Sequence, residues 1–141
     1  MELAFGTLNT YTRDYARFGW LYLNQGLSPL DGSRLIDAQW ITDSVTATES
    51  HLKPQYPDHF GYGYQWWLPG TENNPEQCQG DYLAIGVYNQ FIYIDPVSRI
   101  VIARNSANPN YNKETDPITG SNIGETQAVA AYRAIVHSMS H

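Results

Sequence analysis

Between Thr12 and Gln25 the apolar side chains Tyr15, Phe18 and Tyr22 return at helical spacing. Thr12 stands where an N-cap belongs, and Asp14 puts a carboxylate in the first turn, where it suits the macrodipole. Gly26 occupies the left-handed position that closes a helix, so the spacing predicts a first helix from Thr12 to Gln25. Asp31-Gly32 marks a turn. Asp37 then caps a short second helix carrying Trp40, Ile41 and Val45, with Ile36 placed to staple it. From Pro54 the period changes to two: Tyr62, Tyr64, Trp66 and Leu68 alternate with Gly61, Gly63, Gln65 and Trp67, a single strand. After the polar stretch from Pro69 to Gly80 come three strand-like runs, Tyr82–Tyr88, Gln90–Ile94 and Ile100–Arg104. Asn89 turns the first pair and Asp95-Pro96-Val97-Ser98-Arg99 the second. A last helix follows the irregular stretch Ser106–Asn122, opened by an Asn122/Glu125 approximation to a capping box. It sets Ala128, Tyr132, Ile135, Val136 and Met139 on one stripe.

Connections this short require antiparallel pairing, because a parallel crossover takes a dozen residues or more. The expected architecture is therefore α+β: an antiparallel sheet of about four strands with the N-terminal and C-terminal helices packed on one face. Leu83, Ile85 and Val87 point one way and Tyr82, Ala84, Gly86 and Tyr88 the other, so both faces carry apolar or small residues. One helix layer leaves one such face uncovered. A partner is expected there.

Composition narrows the class. The 141 residues are expected to form a single unit, with 8 Lys+Arg against 14 Asp+Glu and a net charge of −6. The few cations are not clustered, which argues against nucleic acid as a partner. No apolar run approaches the length of a membrane span. Met1–Thr10 lacks a basic n-region and an apolar h-region, and Cys78 is the single cysteine. Both features favour the cytoplasm, although a fragment of an exported parent would also lack its signal. No cofactor is implied. The four histidines, His51, His59, His137 and His141, form no zinc-ligand spacing, so no metal is expected.

A literal S-x-x-K occurs at Ser50-His51-Leu52-Lys53. Such a pair carries nucleophilic chemistry when serine opens a helix and lysine returns one turn later. Pro54 follows at once and Pro57 soon after, which denies the segment a helix and favours an incidental loop match. Tyr22-x-Asn24 lies inside the first helix, where Tyr22 reads as core. Gly61-x-Gly63 reads as a point of close backbone approach in a strand rather than a phosphate loop. The tyrosines and tryptophans of the strands could present flat rings to a sugar, but core packing explains them as well. Adjacent Trp66 and Trp67 must in any case face opposite sides of the sheet.

Several segments together resemble a known family. "TYTRDYARFGWLYLNQG", "DGSRLIDAQWI", "FGYGYQWW", "GDYLAIGVYNQFIYIDP" and "RIVIARNSANPNY", followed by a terminal helix, resemble the C-terminal third of the serine β-lactamase-like hydrolases. The nearest branch is the esterase and 6-aminohexanoate-dimer hydrolase group of the class C-like family. The resemblance implies that Ala84-Ile85-Gly86 takes the place of the third motif, often Lys-Thr-Gly. It further implies that the backbone N–H of Val87 is an oxyanion-hole donor, with Tyr88 and the Ser106–Asn122 loop near the cleft. Ala84 brings no ammonium and Ile85 no hydroxyl, which fits an esterase or amidase better than a β-lactamase.

The resemblance also implies that the nucleophile, its lysine and the tyrosine base lie upstream of everything present here. The leading expectation is therefore a part of a serine hydrolase, inert unless complemented by the nucleophile-bearing part. The alternative is a binding module, with a small molecule or carbohydrate held by Val87, Tyr88 and the tryptophans; the substrate-binding candidates are Ala84, Ile85, Gly86, Tyr88 and Trp66. A hydrolase using Ser50 and Lys53 is the third reading. The first two predict self-association or a complementing chain, because an unpaired strand edge tends to be covered.

Overall fold

The computed structural model describes residues 8–55, 59–70, 80–111, 113, 115 and 123–139. Three α-helices and a five-stranded sheet occur among them: α1 (Thr12–Leu23), α2 (Ala38–Ser44), β1 (Gly61–Tyr62), β2 (Trp67–Leu68), β3 (Tyr82–Gly86), β4 (Gln90–Asp95), β5 (Ile100–Arg104) and α3 (Ile123–Met139). All strand pairs are antiparallel, and the strands lie in chain order, β1-β2-β3-β4-β5. The α+β reading holds.

The helix signals map onto the structure with small shifts. Tyr11, not Thr12, is the N-cap of α1, and its side chain makes no cap hydrogen bond. Gly26 is left-handed at φ 82°, and Gln25 before it also has positive φ, so the helix ends two residues before Gln25. Asp37 caps α2 as its position predicts, accepting from the N–H groups of Gln39 and Trp40. In α3, Ala128, Val129, Tyr132 and Val136 are buried, whereas Ile135 and Met139 are exposed, so the apolar stripe is narrower than its spacing suggests. Asn122, Cys78 and most of the 112–122 stretch lie outside the described residues.

The single strand expected over Tyr62–Leu68 is two short strands joined by a turn, which raises the count from four to five. Gln65 sits at φ 67°, and Gly63 N–H donates to Trp66 C=O at 2.8 Å, which folds the chain back. Gly63 also has to be glycine for a packing reason. A Cβ there would fall 2.0 Å from the carbonyl oxygen of Ser44, which already accepts from Tyr64 N–H at 2.9 Å. The paired glycines do mark close backbone approach, as expected.

The placement of the helices on one face is corrected by the structure. α1 covers one face: Tyr22 and Leu23 pack with Trp66, Leu68, Tyr82, Ile92 and Ile94, with Ala84 and Val101 beside them. α3 covers the other: Ala128, Val129, Tyr132 and Val136 pack with Leu83, Phe91 and Tyr93, with Trp67, Ile85, Ile100 and Ile102 beside them. The period-two alternation of β3, β4 and β5 thus feeds two separate apolar layers, and each has its own helix. The expected uncovered face is filled from within the chain.

Trp66 and Trp67 divide between these layers, as adjacent strand residues must. Trp66 is the centre of an aromatic cluster, stacked on Phe18 at 6.2 Å between ring centroids, tilted on Tyr22 at 4.5 Å and edge-on to Tyr82 at 5.2 Å. Tyr132 plays a similar part on the α3 side, against Phe91 and Tyr93. Burial drives the phenol of Tyr82 well above the usual tyrosine range.

Candidate functional site

The β3–β4 hairpin carries the residues that the sequence singles out. β3 ends at Gly86, which pairs with Gln90, and Val87, Tyr88 and Asn89 form the connection. Val87 therefore leaves the strand instead of continuing its alternation. It is 56% exposed and Tyr88 is 51% exposed, so the tip projects into solvent. Of the strand residues, Ala84 packs on the α1 side and Ile85 on the α3 side, while Gly86 is exposed.

The tip has an unusual backbone. Tyr88 and Asn89 are both left-handed, at φ 64° and 63°. Such a pair matches the twist of a hairpin, and asparagine tolerates it, but for a residue like tyrosine it costs about 1–2 kcal/mol. Asn89 is 4% exposed, and its Oδ1 is buried without a hydrogen-bond partner among the described residues.

The chain after β5 returns to this tip. Ser106 N–H donates to Gln90 Oε1 at 3.1 Å, and Gln90 Nε2 donates to the carbonyl of the same Ser106. Asn108 N–H donates to the carbonyl of Tyr88, and the Tyr88 and Tyr111 rings meet edge to face at 5.3 Å. Tyr88 and the start of the Ser106 loop are thus neighbours. The Gln90–Ser106 contact joins positions 16 apart through an irregular segment, so no periodicity signals it.

The other candidates lie elsewhere. Ser50 opens a single 3-10 turn, Ser50–Leu52, and Lys53 follows in extended conformation. Both are exposed, no hydrogen bond joins their side chains among the described residues, and the turn packs against β1 rather than the β3–β4 tip. Trp66 is 3% exposed and sits in the α1 core, turned away from any surface a ligand could reach. Among the described residues no three His, Cys, Asp or Glu side chains converge as metal ligands, and no helix is long and apolar enough to cross a membrane.

One further polar cluster escapes sequence reading. Asp81, just before β3, is buried and receives a forked pair of hydrogen bonds from Arg133 of α3, at 2.8 and 3.0 Å. Tyr93 Oη donates to the same carboxylate at 2.8 Å, and Arg133 also donates to the carbonyl of Gly70. The arrangement ties α3 to the sheet from residues 52 apart in the chain.

An antiparallel sheet between two helices resembles part of a hydrolase fold, and the similar proteins support a C-terminal fragment of the serine hydrolase family. The relatives give that class a particular form. Over 112 residues the chain is 30% identical to the 6-aminohexanoate-dimer hydrolase of Paenarthrobacter ureafaciens, covering 74% of this chain and 26% of the relative. It also resembles the solved structure of a Bacillus anthracis protein provisionally described as a 6-aminohexanoate-dimer hydrolase. That likeness has a TM-score of 0.65 at 30% identity, over 92% of this chain and 29% of the other. The chain spans about a quarter of the length of the curated relative it matches. No protein-family profile matches it.

Proposed function

We propose that this chain supplies the oxyanion side of a serine hydrolase acting on esters or amides and is inert without the part that carries the nucleophile. The observation that carries this reading is Val87 at the exposed tip of the Ala84-Ile85-Gly86 hairpin, in a chain similar to a 6-aminohexanoate-dimer hydrolase. A backbone N–H fixed at such a point stabilises the charge that develops on a tetrahedral intermediate, by about 3 kcal/mol per donor. The donor alone starts no reaction, because acyl transfer also needs a nucleophile and a base within reach. Neither Ala84 nor Ile85 carries a polar group that could anchor a substrate carboxylate. The missing chemistry comes from a hydrolase portion outside this chain, in the same polypeptide or in a partner.

Incubation with a fluorophosphonate, read by intact mass, tests this reading. The chain alone is expected to remain unmodified. An adduct that disappears in Ser50→Ala would overturn the proposal and make Ser50 an activated nucleophile, with Lys53 as its base.

A further inference from the structure

We infer that Gln90 is the positioning residue of the Val87 donor, acting through the strap that the chain forms after β5. The inference rests on the hydrolase reading of Val87 and adds the device that would hold that donor in place.

Backbone pairing between β4 and β5 runs from Asp95–Ile100 to Phe91–Arg104 and stops there. One residue further, the side-chain amide of Gln90 takes over. It offers one acceptor and one donor, which meet the N–H and C=O of a single backbone residue, Ser106. The side chain thus acts as one more rung of the ladder. It turns the departing chain toward the hairpin instead of letting it continue along the edge.

Two further contacts then reach the tip. Asn108 N–H holds the carbonyl of Tyr88, and Tyr111 packs on the Tyr88 ring. Tyr88 occupies a left-handed conformation that a residue of its bulk adopts only when its surroundings hold it there. The Tyr88 carbonyl and ring are the groups the strap grips. The orientation of the Val87–Tyr88 peptide, and with it the direction of the preceding amide, follows from that grip. Glutamine suits the role because a carboxylate cannot donate to the Ser106 carbonyl, and an apolar side chain can neither donate nor accept.

The test is solution NMR of the whole chain. A strong intraresidue Hα–HN NOE marks a left-handed residue, and the Val87 amide resonance reports the tip. Gln90→Leu is expected to leave the resonances of β3, β4 and β5 in place while Tyr88 loses its strong NOE and the Val87 amide shifts. Gln90→Glu, the milder variant that keeps the acceptor, is expected to shift the same signals in the same direction by less. Tyr88→Gly removes the need for a grip, since glycine adopts positive φ freely. In that background Gln90→Leu is expected to leave Val87 where it is, a rescue that general loosening of the sheet would not give. Unchanged Tyr88 and Val87 signals in both Gln90 variants would overturn the inference, and so would a failure of the glycine rescue. These signals read conformation alone, so a failed hydrolase reading would show separately, in the phosphonate experiment.

Discussion

Asp81 and Arg133 show how much a single pair carries here. The carboxylate of Asp81 is fully buried and the guanidinium side chain of Arg133 partly so, at 0% and 18% exposed. Charges so placed need each other: removing one partner leaves the other desolvated without compensation. Arg133→Met is expected to destabilise the fold by about 3 kcal/mol, read from the urea midpoint at neutral pH. Adding Asp81→Asn to Arg133→Met should recover part of that loss, because the orphaned charge is then gone. A single variant as stable as the parent would refute the pair's structural role. Neither residue draws attention in the sequence. Asp81 follows a polar stretch and Arg133 interrupts a helical stripe, and only the tertiary fold brings them together.

Between elements, α1 lies tightly on the sheet. Gly19 faces β4 and β5, and a Cβ there would lie 2.6 Å from Val101 Cγ1 and 2.8 Å from Ile92 Cγ2. Gly19→Ala is expected to destabilise by about 1–3 kcal/mol, since neither branched side chain can retreat within a packed layer. Thermal unfolding of the variant would check it, and an unchanged midpoint would mean that the helix rides higher than the structure places it. The elements themselves were largely legible in the sequence. Spacing located α1, α2, α3 and the three long strands, and Asp37 and Gly26 ended or opened helices for the reasons their chemistry gives. Two things were hidden. Gly63 and Gln65 break the Tyr62–Leu68 alternation because of an approach to Ser44, a residue that local pattern cannot see. That the two helices take opposite faces follows only when the alternation is read in β4 and β5 as well as in β3. Of the candidate site, the resemblance pointed to the Val87 tip with Tyr88 and the Ser106 loop near it, whereas the Gln90–Ser106 bonds that hold that loop carry no signal in the sequence.

For the molecule as a whole, the exposed feature is the outer edge of β5. Among the described residues Ile100 to Arg104 pair with β4 on one side only, at the end of the sheet, and include no lysine, proline or positive-φ residue to guard that edge. We propose that this edge draws the chain into self-association when no complementing part occupies it. Sedimentation should show a weight-average mass that rises with concentration, and Ala103→Lys should return it to the monomer with unchanged circular dichroism. A clean monomer across the concentration range would sink the proposal.

The strand order has a kinetic meaning as well. Every strand pairs with its neighbour in the chain, so each sheet contact closes a loop of modest length. Such local topology favours rapid formation, and the docking of α1 on the distant β4 and β5 is expected to be the slower step. Substitutions in the β3–β4 turn should therefore act chiefly on how fast the protein reaches its native state. Those beneath α1 should act chiefly on how long it stays there.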